Sequence, residues 1–210
     1  MKHRRILIVG ADGLRPDLVD PVVMPNVAAL AEGGVRFGDH HAVYPSHTRV
    51  NMSALASGTT PGRHGIVANT MLVAGATEDH IIDTSNYQHL DALGQFSGGE
   101  TLHVPTLGEF LPDGGRVAVA GTGSGGSNLL WTHKNRGRIV NANTAFGIAD
   151  LYDLREKLGE IPEAGYPGTA RARYATRAVT DLYLDDADNR VIVLWLNEPD
   201  SSLHRFGLGS

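Results

Sequence analysis

The chain has 210 residues, 41% hydrophobic and 20% charged, with a formal net charge of −5. That length suits one domain, residues 1–210, and the mild acidity disfavours a nucleic-acid polymer or an anionic membrane surface as partner. Cysteine is absent, which excludes a disulfide framework, a thiolate metal site and a Cys nucleophile; any metal must take oxygen and imidazole ligands, and ten His are available.

The start, MKHRRILIVGADG, has a basic tip, but its apolar part is only ILIV, too short for a signal peptide. No run approaches the 18 apolar residues of a membrane span. The expectation is a cytoplasmic protein with no membrane contact. RILIVG is a continuous β-branched run, predicting a strand buried on both faces. MPNVAALAEGG predicts a helix opened near Pro25, with Val27, Leu30 and Ala31 on its inner face and glycines to end it. VRFGDHHAVYP reads as a strand stopped by Pro45. SHTRVNMSALASG reads as a helix burying Met52, Leu55 and Ala56, with Gly58 at the C-cap.

RVAVAG is a further buried strand and RIVNANTAF a shorter one. The Gly/Pro-rich stretch 159–168 is a loop. ARARYATRAVTDLYLDD places Tyr174, Ala175, Ala178, Val179 and Leu182 at helical spacing, and VIVLWLN makes the last strand, interior like the first. This alternation predicts an α/β fold, a largely parallel central sheet with helices on both faces. GTGSGG, residues 121–126, follows a strand and satisfies the dinucleotide-binding pattern G-x-G-x-x-G. The acidic residue that should end the next strand is missing before Asp150, so the stretch reads as a loop or the rim of a site.

Four places carry candidate chemistry. Asp12 lies just past the first strand, at the carboxyl edge where open α/β sheets bind ligands; a turn before Gly13 would use the same residue. Thr48 opens a helix, where free N–H groups favour a phosphate, and where an N-cap Thr is also common. Asn69 follows a Gly-rich turn and has an amide to donate, or simply makes a turn. Asp200 and His204, in EPDSSLH, form an Asp-x-x-x-His pair past the last strand, suited to a metal ion.

Taken together these segments resemble the alkaline phosphatase superfamily, and most closely its nucleotide pyrophosphatase/phosphodiesterase branch. The resemblance runs through DGLRPD, PNVAALAEGGV, YPSHTRVN, GTTPGRHGIVAN and EPDSSLH in order, covering nearly the whole chain. It implies two divalent metal ions, most simply zinc. Asp12 and Thr48 would serve one ion, Asp200 and His204 the other. Thr48 would be the nucleophile, forming a covalent phospho-threonine intermediate, and Asn69 would hold the phosphoryl oxygens. A hydroxyl with no neighbouring base can be activated this way, without a Ser-His-Asp arrangement. The implied substrate is a small-molecule phosphodiester or pyrophosphate.

Two departures accompany the resemblance. Arg49 and Val50 stand where that branch commonly has an aromatic residue and a proline; Arg49 is therefore a substrate-binding candidate that favours a charged phosphate or phosphonate. A hydrolase of monoesters, or of phosphonates such as phosphonoacetate, is the alternative, and a noncatalytic binding domain a further one. The family's remaining ligands, an Asp-His pair and a distant His, would come after EPDSSLH, whereas this chain ends at Ser210. The expectation is an N-terminal portion of a catalytic domain, with its metal site half supplied, little zinc affinity and little activity by itself. His40, His41, His64, His80, His89, His103 and His133 fall in no matching ligand motif and read as surface or turn residues.

Overall fold

A computed structural model of the chain describes residues 4–112, 114–132, 137–141, 144–146 and 151–208. Strand β1 (Ile6–Ala11) runs through the Asp12–Gly13 turn and one 3-10 turn to helix α1 (Pro25–Gly33), which Pro25 starts at its first position. Helices α2 (Thr48–Ser57) and α3 (Pro61–His64) follow, and each ends on a left-handed glycine, Gly58 at φ 65° and Gly65 at φ 88°. A small antiparallel hairpin of β2 (Thr70–Leu72) and β3 (Ile81–Asp83) leads to α4 (Tyr87–Phe96), capped by the Asn86 side chain accepting from the N–H of Gln88. Then come β4 (Arg116–Gly121), α5 (Gly125–Leu129), β5 (Arg138–Asn141), β6 (Thr144–Phe146) and α6 (Leu151–Leu158). Helix α7 (Thr169–Ala178) continues as one π turn through Tyr183 before β7 (Asn189–Leu196) and α8 (Asp200–Phe206).

The five-stranded sheet has the order β1-β7-β4-β5-β6. The first four strands are parallel, and β6 turns back antiparallel on β5. Parallel pairing brings the carboxyl ends of β1, β4 and β7 to one edge. Strand alternation then divides the core. Val117 and Val119 of β4 and Val191 and Val193 of β7 point to one face, against Met52 and Ala56 of α2 and Trp131. Ala118, Ala120, Ile192 and Leu194 point to the other, against Tyr174, Ala175 and Ala178 of α7 and Leu154 of α6. Small alanines on β4 let α7 approach closely, and Tyr183 reaches across to donate its hydroxyl to the Val119 carbonyl. A third cluster joins Val50 of α2 and Leu90 and Leu93 of α4 to the hairpin through Met71 and Ile82. Helices cover both faces, as the pattern predicts.

Several expectations need correction. Strand β7 is interior, but β1 is the edge strand of the described sheet, and Ile6, Leu7 and Val9 are 54%, 51% and 61% exposed. A run of apolar residues reports the capacity for burial on both faces, and the neighbour that would use it is not among the described strands. Helix α1 forms at its expected position with a different inner face: Ala28 is buried, while Val27 and Leu30 are exposed. The side of α1 that carries Ala28 and Ala31 bounds a groove of about 680 Å³, closed by Val19 before the helix and Val35 and Phe37 after it. Residues 35–45 form no strand; the glycine and the charged and imidazole groups inside that stretch leave Val35, Phe37 and Tyr44 exposed. In α2, Met52 and Ala56 are buried with Val50 and Ser53, whereas Leu55 faces out. RIVNANTAF is two strands rather than one.

At the amino edge of the sheet charges are paired: Arg116 and Arg138 meet Asp186 at 2.7 and 2.9 Å. No helix of the described residues is long and apolar enough to cross a membrane.

Candidate active site

The carboxyl edge is built by two consecutive backbone hydrogen bonds. The N–H of Asp12 donates to the Leu196 carbonyl at 2.9 Å, extending the β1–β7 ladder one residue past the strands. The N–H of Asp200, at the start of α8, then donates to the Asp12 carbonyl at 2.9 Å. Between them Gly13 sits at φ +73°, and a Cβ there would lie 2.8 Å from Asp200 Cα. Only glycine lets α8 approach so closely. Below them Trp195 lies over Gly10 of β1, where a Cβ would collide with the indole ring.

Thr48 approaches the same carboxylate from the other side. Its Oγ1 donates to Asp12 Oδ2 at 3.1 Å. The N-cap of α2 is His47, with no side-chain capping bond, so Thr48 is the first helical residue and its hydroxyl turns toward Asp12 instead of capping the helix. The first intrahelical bond is Asn51 N–H to His47 carbonyl, so the N–H groups of the first turn, beside that hydroxyl in sequence, have no intrahelical acceptor.

Asp12 has its pKa raised, by burial first and by the Asp200 charge second, against the opposing pull of the Thr48 hydroxyl and the Trp195 indole. Two carboxylates are thus held together at an edge where a cation would relieve the strain between them. The available donors are carboxylate oxygens of Asp12 and Asp200, the Thr48 hydroxyl and the His204 imidazole, whose Nε2 is 3.4 Å from Asp200 Oδ1. Hard oxygens and one imidazole fit zinc chemistry. Among the described residues no three His, Asp or Glu side chains converge into one cluster, so the donors come as two pairs.

Asn69 reaches the site through its neighbours. Its N–H points to His47 Nδ1 at 3.4 Å, and its carbonyl accepts from the N–H and the hydroxyl of Thr84 at 2.9 and 2.8 Å. Its side-chain Oδ1 is buried without a partner among the described residues. Arg49 donates from Nε to Thr84 Oγ1 at 2.8 Å, with Nη2 3.9 Å from Asp83 Oδ1. Burial lowers the Arg49 pKa, and the nearby charges of Asp83 and Asp12 oppose that shift.

The structure therefore brings Asp12, Thr48 and Asp200 into direct contact or adjacency, with His204 beside Asp200 and with Arg49 and Asn69 linked through Thr84. Thr84, Asp83, His47 and Trp195 were not singled out in the sequence. A polar pocket of about 160 Å³ is lined by Thr122, Tyr166, Arg171, Asn197, Glu198 and Ser201, from three segments that the tertiary fold brings together. Arg205 of α8 lies over the Tyr166 ring at 4.6 Å at its margin.

GTGSGG does form a strand–turn–helix, but Asn141 at the end of β5 donates its amide to the carbonyls of Gly121 (3.3 Å) and Gly123 (2.9 Å). That amide occupies the place where a ribose-binding carboxylate would be needed, so the stretch is a rim. His64 is fully buried rather than on the surface: its Nδ1 accepts from the N–H of Ile66 at 3.2 Å, and its Nε2 has no partner among the described residues. His80 and His89 use Nδ1 the same way, toward the N–H groups of Gly75 and Asp83. His133, Asp150 and Ser210 lie outside the described residues.

The family model of Type I phosphodiesterase / nucleotide pyrophosphatase matches residues 6–210, a span that contains the sheet edge, Asp12, Thr48, Asn69 and the Asp200–His204 pair, and the chain belongs to that family.

Proposed function

We propose that the chain hydrolyses a phosphodiester or pyrophosphate bond of a small molecule, with Thr48 as nucleophile. The observation that carries this reading is the 3.1 Å hydrogen bond from Thr48 Oγ1 to Asp12 Oδ2, at the first turn of α2 and the carboxyl edge of the sheet. Asp12 orients the hydroxyl, so that a lone pair of Oγ1 is free for in-line attack on phosphorus. In this reading the free N–H groups at the start of α2 and the Asn69 amide would receive the phosphoryl oxygens. Attack forms the Oγ1–P bond and breaks the bond from phosphorus to the leaving oxygen, the Oγ1 proton passing to the Asp12 carboxylate that holds it. Water then attacks phosphorus and breaks the Oγ1–P bond, and a proton returns to Oγ1 to regenerate Thr48. Asp12 with Thr48, and Asp200 with His204, are the residues that would hold two divalent ions, zinc by donor type. When bound, such ions supply charge stabilisation for the attacking and leaving oxygens.

The test is turnover of bis(p-nitrophenyl) phosphate by the full-length protein with added zinc. Thr48→Ala should lose on the order of a thousandfold in kcat, about 4 kcal/mol, and Thr48→Ser should retain part of the rate. Near wild-type turnover by Thr48→Ala would overturn the assignment.

A further inference from the structure

Arg49 is the second residue of α2, next to Thr48, and its side chain is only 18% exposed. What holds it is a fully buried hydroxyl on the β2–β3 unit. Thr84 has one hydroxyl proton, and donates it to the Asn69 carbonyl at 2.8 Å; a lone pair of the same oxygen accepts from Arg49 Nε at 2.8 Å. One atom thus ties the guanidinium to the backbone of residue 69. Asp83 does not take over the fork of the guanidinium. Its carboxylate accepts from the N–H of Ser85 at 2.8 Å, and at 3.9 Å it attracts Arg49 without hydrogen bonding to it. Among the described residues Nη1 and Nη2 make no hydrogen bond, so the outer donors of an oriented, partly desolvated cation are open on the first turn of α2, within reach of the charge of Asp12, the carboxylate that holds the Thr48 hydroxyl. Such a fork binds oxyanions in bidentate fashion, and its attraction grows with ligand charge in a site of reduced dielectric.

We propose that Thr84 is a positioning residue that holds Arg49 toward the phosphoryl site, and that Arg49 thereby selects substrates with a second negative charge beside the attacked phosphorus. The inference rests on Thr48 as the nucleophile of the reading above. The second charge comes either from the dianionic phosphoryl group of a monoester or from the flanking phosphate of a pyrophosphate. A simple diester has neither.

The test uses the full-length protein with zinc and three substrates: p-nitrophenyl phosphate, a dinucleoside pyrophosphate and bis(p-nitrophenyl) phosphate. Arg49→Ala should lower kcat/KM about 30-fold or more for one of the two charged substrates, which identifies the source of the charge, and change the simple diester by no more than about threefold. Thr84→Val should move the same substrate about tenfold, mainly in KM, and Thr84→Ser should restore it. Arg49→Lys keeps the charge without the Nε bond to Thr84 and should fall between, which keeps the test decisive if Thr84→Val does not fold. Equal losses on all three substrates would overturn the inference.

Calorimetric binding of inorganic phosphate separates this inference from the nucleophile assignment. If the wild type turns over none of the substrates, the hydrolase reading fails; a tenfold or so weaker phosphate affinity in Arg49→Ala would still uphold the role of Arg49. Unchanged phosphate affinity would overturn it.

Discussion

The carbonyl of Asp12 accepts the N–H of Asp200 at 2.9 Å, so two residues 188 positions apart, 200 − 12, are held by one backbone hydrogen bond. Their carboxylates are neighbours because β1 and β7 pair in parallel and each strand ends into a turn at the same edge. Gly13 is what permits the contact. Gly13→Ala combines a left-handed backbone with a Cβ placed 2.8 Å from Asp200 Cα, and both sides of that clash are main chain or Cβ. The expected cost is about 1–3 kcal/mol of stability, with the Asp12–Asp200 spacing widened. Chemical denaturation of the purified protein measures it, and an unchanged midpoint would contradict the close approach.

His64 predicts an acid-sensitive core. Burial first, and the neighbouring His103 second, bring its pKa from 6.5 to about 4. The native state therefore refuses a proton that the unfolded chain takes up below 6.5. The stability contributed by this group is complete above pH 6.5 and is lost as pH falls toward 4. Titration of the His64 imidazole followed by NMR should give a midpoint near 4, with a flatter stability slope between pH 4 and 6.5 in His64→Asn. A midpoint near 6.5 would rule the burial out.

The open edge of β1 predicts association. Ile6, Leu7 and Val9 are more than half exposed on a strand that, among the described residues, is paired along one edge only, and Phe37 is 78% exposed near α1. Apolar residues on an unprotected edge pair with other chains. The chain should form concentration-dependent oligomers by size exclusion with light scattering, and Val9→Lys with Phe37→Lys should shift them toward monomer. A monodisperse monomer at high concentration would argue against it.

Metal content makes a further prediction. Catalytic zinc takes three protein ligands and an open position, whereas the described donors come as Asp12 with Thr48 and Asp200 with His204. If those pairs are the whole of each ligand set, the chain should hold zinc well below two ions in equilibrium dialysis, and Asp200→Asn should lower that content further. Two tightly held ions per chain would mean that other groups complete the shells.

The elements that the sequence predicted well are those whose local pattern and tertiary role agree. RVAVAG, VIVLWLN and the Tyr174–Val179 helix became buried elements because their apolar spacing matches a two-sided sheet with α7 packed on it. Gly58 was legible as a helix terminus because a left-handed C-cap is a local requirement. Asp12, Thr48, Asn69 and Asp200 stand in motifs that mark element ends, and each lies at one in the fold.

What a residue faces was not legible. β1 has the composition of an interior strand, yet its neighbours among the described residues cover one edge only. Val27 and Leu30 share a helical face that is exposed among the described residues, while Ala28 is buried. His64 carries no sequence mark of burial, because burial is a property of what surrounds it. Thr84 is the clearest case: a threonine after a three-residue strand, it becomes the atom that joins Arg49 to Asn69 only when the hairpin folds onto α2. Composition and periodicity determined the α/β class and the ends of its main elements, since those follow from local backbone preference and apolar period. The parallel register of β1 on β7, the closeness of Asp12 to Asp200 and the orientation of Arg49 depend on contacts between distant segments, and only tertiary structure decides those.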